Sequence, residues 1–191
     1  NSGPGKKHID ASQQVLRYLR DTPDLGLHFK KSNLKGNLPI IAYVDSDWGG
    51  CIDTRRSTMG FLVKIFGGPV AWKSKTMQTI ALSSCEAEFM ALTEVCREIM
   101  WMCRFLEELG IEYHMPEIYC DSSSAINWAC DPIQHQRNKH VELKYYFVRD
   151  QVTNGKVVAF KIHGTRNHSD PMTKPVGPQI LKRHLPVMTG F

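Results

Sequence analysis

Residues 38–48 read LPIIAYVDSDW. Ile40, Ile41, Tyr43 and Val44 form a run suited to pleated, half-buried backbone, and it ends abruptly in acids, Asp45 and Asp47. An acid at a strand end is ordinarily a turn residue. Here the strand opens a series. STMGFLVKIF (57–66) and PVAWKSK (69–75) are two more β-prone runs, and the short Gly67-Gly68 joint between them predicts antiparallel pairing. The pattern then changes period: residues 84–109 repeat apolar positions at helical spacing, closed by Gly110.

Working outward, PEIYCD (116–121) reads as a short strand and SSSAINWAC (122–130) as a short helix opened by serine. A helix is expected over 138–153, ending at Asn154-Gly155, and a fifth strand in KVVAFKIHG (156–164). Residues 168–186 read as a helix interrupted by prolines. The order βββ-α-β-α-α-β-α implies an α/β fold: a five-stranded mixed sheet, strands 1–3 antiparallel, with helices on both faces. Ahead of it, HIDASQQVLRYLR (8–20) has a helical apolar stripe, DTPD a turn, and LGLHFKK (25–31) the look of a strand. The Gly/Asn loop SNLKGN then divides the chain into a lead-in, 1–36, and a main domain, 37–191.

The chain has 191 residues, 42% of them hydrophobic and 23% charged, enough for one well-buried domain with an appendage. Its apolar runs are shorter than the roughly 18–20 residues of a membrane span, and the N-terminus lacks the apolar core of a signal peptide. No membrane partner is expected. The missing initiator Met suggests a fragment of something longer. None of the six cysteines forms a C-x-x-C pair, which argues against structural zinc. Reduced thiols in the cytoplasm or nucleus, rather than a secreted protein, are the expectation. The net charge of +5 suits an anionic partner without requiring one.

Asp45, Glu86 or Glu88, Asp121 and Asp170 carry the chemical interest. Asp45 and Asp121 each follow an apolar strand that should be central, and sites form where such strand ends meet. Several carboxylates in one place repel each other unless a hard cation joins them, and an all-oxygen set suits Mg²⁺ or Mn²⁺.

The wording of the chain resembles the ribonuclease H region of copia-type LTR retrotransposon polyproteins. The block from YVDSDWGG (43–50) to LSSCEAEFMAL (82–92) carries most of the likeness. IYCDSSSAI (118–126), HQRNKHVELKYYFVRDQVTNGKV (135–157) and DPMTKP (170–175) follow in order. The lead-in resembles the segment that joins reverse transcriptase to ribonuclease H, so an upstream reverse transcriptase is an implied partner. The resemblance implies a ribonuclease H-like fold and hydrolysis of the RNA strand of an RNA–DNA hybrid, with two Mg²⁺ ions for which Mn²⁺ may substitute. It puts the catalytic and metal-binding acids at Asp45, a glutamate of CEAEF, Asp121 and Asp170. A retrotransposon-derived module that binds without useful catalysis is the alternative. The chain departs from the family at His168-Ser169, where an apolar-Ala pair is usual, and Pro171 follows Asp170.

The helical wheel separates the two glutamates. Ser83-x-x-Glu86 fits a capping box, with the glutamate reaching back to the serine amide. From the stripe Phe89, Leu92, Cys96, Ile99, Cys103 and Leu106, Glu88 falls about 50° and Glu86 about 110°. Glu88 is therefore the expected site acid. Arg55, Arg56, Lys73, Ser122, Arg137, Lys139 and Lys144 are candidate contacts to the nucleic-acid backbone, with Lys64 and Lys75 beside them. Ser122 reads first as a helix cap and Asp47 as a turn acid; related enzymes carry a mobile histidine upstream of the last aspartate, and the sequence does not fix whether His163, His168 or neither matches it.

Overall fold

The computed structural model describes residues 3–30, 39–130 and 139–191, the side chains of 139–145 excepted. Helix α1 spans Lys6–Asp21, and the sheet begins with β1 at Ile40–Asp47. β2 (Thr58–Ile65) and β3 (Gly68–Thr76) pair antiparallel in turn, Asp45 standing opposite Gly60. After α2 (Ser84–Glu108) come β4 (Glu117–Cys120), α3 (Ser123–Cys130), α4 (Lys139–Thr153), β5 (Val158–Lys161) and α5 (Pro178–Thr189). The strand order is β3-β2-β1-β4-β5, with β4 parallel to both neighbours. β1 and β4 are thus central and adjacent, and both point their carboxyl ends the same way.

The core is the seam between α2 and the sheet. Ile40, Ala42 and Val44 alternate along β1, as half-buried strands require, and pack with Phe89, Leu92, Val95, Cys96 and Ile99 of α2, all at most 1% exposed. Helices α3 and α4 extend this layer. The opposite face carries the aromatic ladder Tyr43, Tyr119 and Phe160, with ring centroids 5.6 and 5.7 Å apart.

Two expectations are corrected. Residues 25–30 are not a strand: His28 N–H donates to the Thr189 carbonyl at 2.7 Å, and Phe29 packs on Gly68. Their backbone meets the end of α5, so no ladder partner is available to make them β. The helix expected over 168–186 is instead a 3-10 turn at Asp170–Met172, a break, and α5 from Pro178. Pro171 and Pro175 lack the amides a continuous helix needs, and Pro171 is accommodated in the first turn of the 3-10 segment. The proposed lead-in boundary at 36/37 lies outside the described residues, as does Arg137.

Candidate active site

Asp45 lies two residues short of the end of the central strand and is only 3% exposed. What covers it is the segment after β5. Asn167, fully buried, donates from Nδ2 to the Val44 carbonyl at 2.8 Å, and the Ser169 hydroxyl donates to Asn167 Oδ1 at 2.7 Å. Thr173 then donates from Oγ1 to Asp45 Oδ2 at 2.5 Å. The 3-10 turn Asp170–Met172 lies so close to β2 that a Cβ on Gly60 would stand 2.8 Å from Met172 Cβ. Glycine at that position, directly across from Asp45, lets the turn approach.

The segment also accounts for His168-Ser169. Ser169 is fully buried within this hydrogen-bonded clamp. His168 meets the Tyr43 ring edge-on at 4.8 Å and the His184 ring of α5, Nδ1 to Nδ1 at 3.1 Å. Burial pushes its pKa down to about 4. His163 is spent locally: its Nδ1 accepts from the Thr165 amide at 3.3 Å.

Glu88 enters from α2. Its Oε1 accepts from the Ser46 amide at 3.1 Å and the Ser46 hydroxyl at 2.8 Å, and the Cys120 thiol lies 3.8 Å from Oε2. It is 8% exposed, carried inward by the apolar stripe beside it. Glu86 stays half-exposed and local. Its own amide donates to Ser83 Oγ at 3.1 Å, as in the expected cap, but its carboxylate accepts from the Leu82 amide at 2.7 Å. The reciprocal bond therefore reaches one residue beyond the serine amide, because the chain before Ser83 turns its Leu82 N–H toward the helix.

Asp121 follows β4 directly, and its carboxylate shares a 4.8 Å sphere of possible ligand atoms with Glu88 and Cys120. A Cβ on Gly164 would sit 3.2 Å from Asp121 Oδ2, so the loop after β5 also presses on this acid. Asp170 pairs with Lys174 Nζ at 2.5 Å. Four elements far apart in sequence thus bring Asp45, Glu88, Asp121 and Asp170 to one end of the sheet.

The electrostatics register that crowding. Burial, with repulsion from Asp121 and Asp170, lifts Asp45 to about 6 despite the Thr173 hydrogen bond. Burial, then Asp45 and Asp121, lifts Glu88 to about 8 despite Ser46. Carboxyl groups this costly to ionise favour a cation among them, and the oxygen donors fit a hard divalent ion.

The polar candidates behave differently. Arg55 and Arg56 are exposed in the β1–β2 loop, Arg55 with a φ of 54°. Lys73 pairs with Glu94 at 3.3 Å, and Arg97 holds the same carboxylate at 3.1 Å. The Ser122 hydroxyl caps α3 by accepting from the Ala125 amide at 3.2 Å. Lys139 and Lys144 lie on α4, their side chains outside the description. Asp47 folds back over Gly50, where a Cβ would collide with its carboxylate. The sequence reading missed Ser46, Gly60, Cys120, Asn167, Thr173 and Lys174. Strand alternation was the available signal for Ser46, which shares the Val44 face that α2 covers.

No family model matches the chain. It is 40% identical over 174 residues to the retrovirus-related Pol polyprotein from transposon TNT 1-94 of Nicotiana tabacum, covering 91% of this chain and 13% of that one. This chain belongs with the copia-type retrotransposon Pol proteins. It spans only about an eighth of the polyprotein's length. It is also 45% identical over 101 residues to the secreted RxLR effector protein 161 of Plasmopara viticola, covering 53% of this chain and 69% of that protein. In structure it resembles LC11-RNase H1, isolated from compost, with a TM-score of 0.52 at 16% identity, covering 71% of this chain and 92% of that one. The same score, at 14% identity, relates it to LC11-RNase H1 in complex with an RNA/DNA hybrid. The chain is a ribonuclease H-like module of the retrotransposon Pol type. Among its described residues no helix is long and apolar enough to cross a membrane.

Proposed function

We propose that this Pol-derived module is a divalent-metal-dependent endoribonuclease that hydrolyses the RNA strand of RNA–DNA hybrids. The observation that carries the reading is the convergence of Asp45, Glu88, Asp121 and Asp170, two of them buried, at the carboxyl ends of β1 and β4. These four acids would hold two Mg²⁺ ions, or Mn²⁺ in their place, which when bound supply an activated water and charge to steady the leaving 3′ oxygen. The protein's own part is to hold the acids still. Thr173 fastens one oxygen of Asp45, Ser46 fastens Glu88, and the Asn167–Ser169 clamp keeps Asp170 over the end of β1.

Arg55 and Arg56 at the exposed loop, together with Lys73, Ser122, Arg137, Lys139 and Lys144, are proposed to meet the backbone of the hybrid, whose 2′-hydroxyls mark its RNA strand. Within a polyprotein the lead-in, 1–36, would follow a reverse transcriptase and the main domain, 37–191, would cut. The compartment in this reading is the cytoplasm or nucleus.

A second reading, binding without cutting, is favoured by one contact: Lys174 already neutralises Asp170. Labelled hybrid decides between them. The enzyme cuts it with Mg²⁺ and stops with EDTA, whereas a binding module only retards it on a gel.

A further inference from the structure

The acid cluster carries its own cation. Lys174 Nζ stands 2.5 Å from Asp170 Oδ1, and its charge also acts on Asp45 and Asp121. Asp170's side chain is 18% exposed but that of Lys174 is 46% exposed, so the ammonium reaches into the cluster from a stem that stands in water. Among the described residues, Asp170 is the ion-pair partner of that ammonium. The backbone is held instead by Asn167, Ser169 and Thr173, which leaves the lysine stem free to rotate without disturbing the acids.

We propose that Lys174 is a tethered competitor for the metal site: its ammonium occupies the Asp170 side of the cluster when no divalent ion is bound and must swing into solvent as one binds. The inference rests on the metal-dependent reading above and goes beyond it by giving the chain a control over its own metal affinity. A tethered ammonium works at the high effective concentration of an intramolecular ligand. Divalent ions then bind only the fraction of molecules in which Lys174 has left Asp170, and the apparent affinity falls by that fraction. The contact places a positive charge among crowded carboxylates, so removing it should weaken the metal-free protein and strengthen metal binding together. A purely structural ion pair would do the first and not the second.

The test is Mn²⁺ binding to the full chain, followed by the resonance of free Mn²⁺, with melting curves recorded with and without the ion. Lys174→Gln is expected to bind Mn²⁺ roughly tenfold more tightly than wild type, to melt lower without metal, and to gain more in Tm from Mn²⁺. Lys174→Arg, whose planar fork grips a carboxylate with two hydrogen bonds, is expected to bind Mn²⁺ no more tightly than wild type. Asp45→Asn should weaken binding in both the wild-type and Lys174→Gln backgrounds, which locates the ion at this cluster. If wild type binds Mn²⁺ and Lys174→Gln binds it equally or less well, the competitor role is overturned while the metal-dependent reading stands. If neither binds, or Asp45→Asn changes nothing, the metal-dependent reading falls first and takes the competitor role with it.

Discussion

Helices α1 and α2 carry comparable apolar stripes and meet opposite fates. On α1, Ile9, Val15, Leu16 and Leu19 are between 51% and 66% exposed. On α2, Phe89, Leu92, Cys96, Ile99, Cys103 and Leu106 are at most 7% exposed. Periodicity makes a helix amphipathic, but only a partner surface makes the stripe a core. α2 has the sheet, and α1 has no such partner among the described residues. The consequence reaches the chemistry. Because the sheet pulls in the stripe of α2, it also pulls in Glu88 at the stripe's margin, and a carboxylate no apolar environment favours becomes part of a cluster.

The sharpest way to break this comparison is Glu88→Gln. Hydrolysis of the hybrid should fall by about a thousandfold or more, while the metal-free Tm holds or rises, since an amide keeps the Ser46 contacts without the repulsion. Glu86→Gln should leave most activity and cost under about 1 kcal/mol, because its role is to accept from the Leu82 amide. Single-turnover cleavage and melting of both variants decide it, and the reverse pattern would assign the site acid to Glu86.

Packing is the next contrast. Leu92→Ala on α2 should cost about 2–5 kcal/mol in chemical denaturation, while Leu16→Ala on α1 should change stability by under about 0.5 kcal/mol. Equal costs would mean that α1 is packed as α2 is.

The buried acids predict an unusual pH dependence. Asp45 and Glu88 have folded pKa values of about 6 and about 8, above their ordinary values near 4. The native state then binds more protons than the unfolded state, so metal-free stability falls as pH rises from about 4 to about 8. The expected loss is on the order of a few kcal/mol, absent below the unfolded pKa values and complete above the folded ones. Saturating Mg²⁺ should flatten the slope. A metal-free protein that grows more stable over this range would contradict the crowding of the acids.

Gly60→Ala should have a smaller effect on stability, about 1–3 kcal/mol, because its Cβ would press Met172 and Thr173 away from β2. Cleavage should drop with it, as Thr173 loses its hold on Asp45. Wild-type activity in this variant would show that the 3-10 turn can shift without moving Asp170.

Much of this is legible in the residues themselves, because it depends on local periodicity. LPIIAYVDSDW and the two runs after it specify an antiparallel start to the sheet, and the change to helical spacing at Ser84 specifies α2. The wheel angle alone separates a half-exposed Glu86 from a buried Glu88. The strands before Asp45 and Asp121 read as central and are so, while their lying side by side and parallel is a feature of the closed sheet. Only the tertiary structure decides what depends on contacts between distant segments. LGLHFKK has the composition of a strand, but the backbone of residues 25–30 bonds to the end of α5 rather than to a sheet edge. Residues 168–186 read as a helix with proline interruptions, but the structure keeps only a 3-10 turn ahead of α5, where the polar clamp to β1 sits. Thr173 looks like an ordinary surface residue in a sequence, since a hydrogen bond spanning 128 residues leaves no periodic trace. Local spacing sets which face of an element is apolar, whereas the partners of its polar groups exist only once the chain has closed on itself.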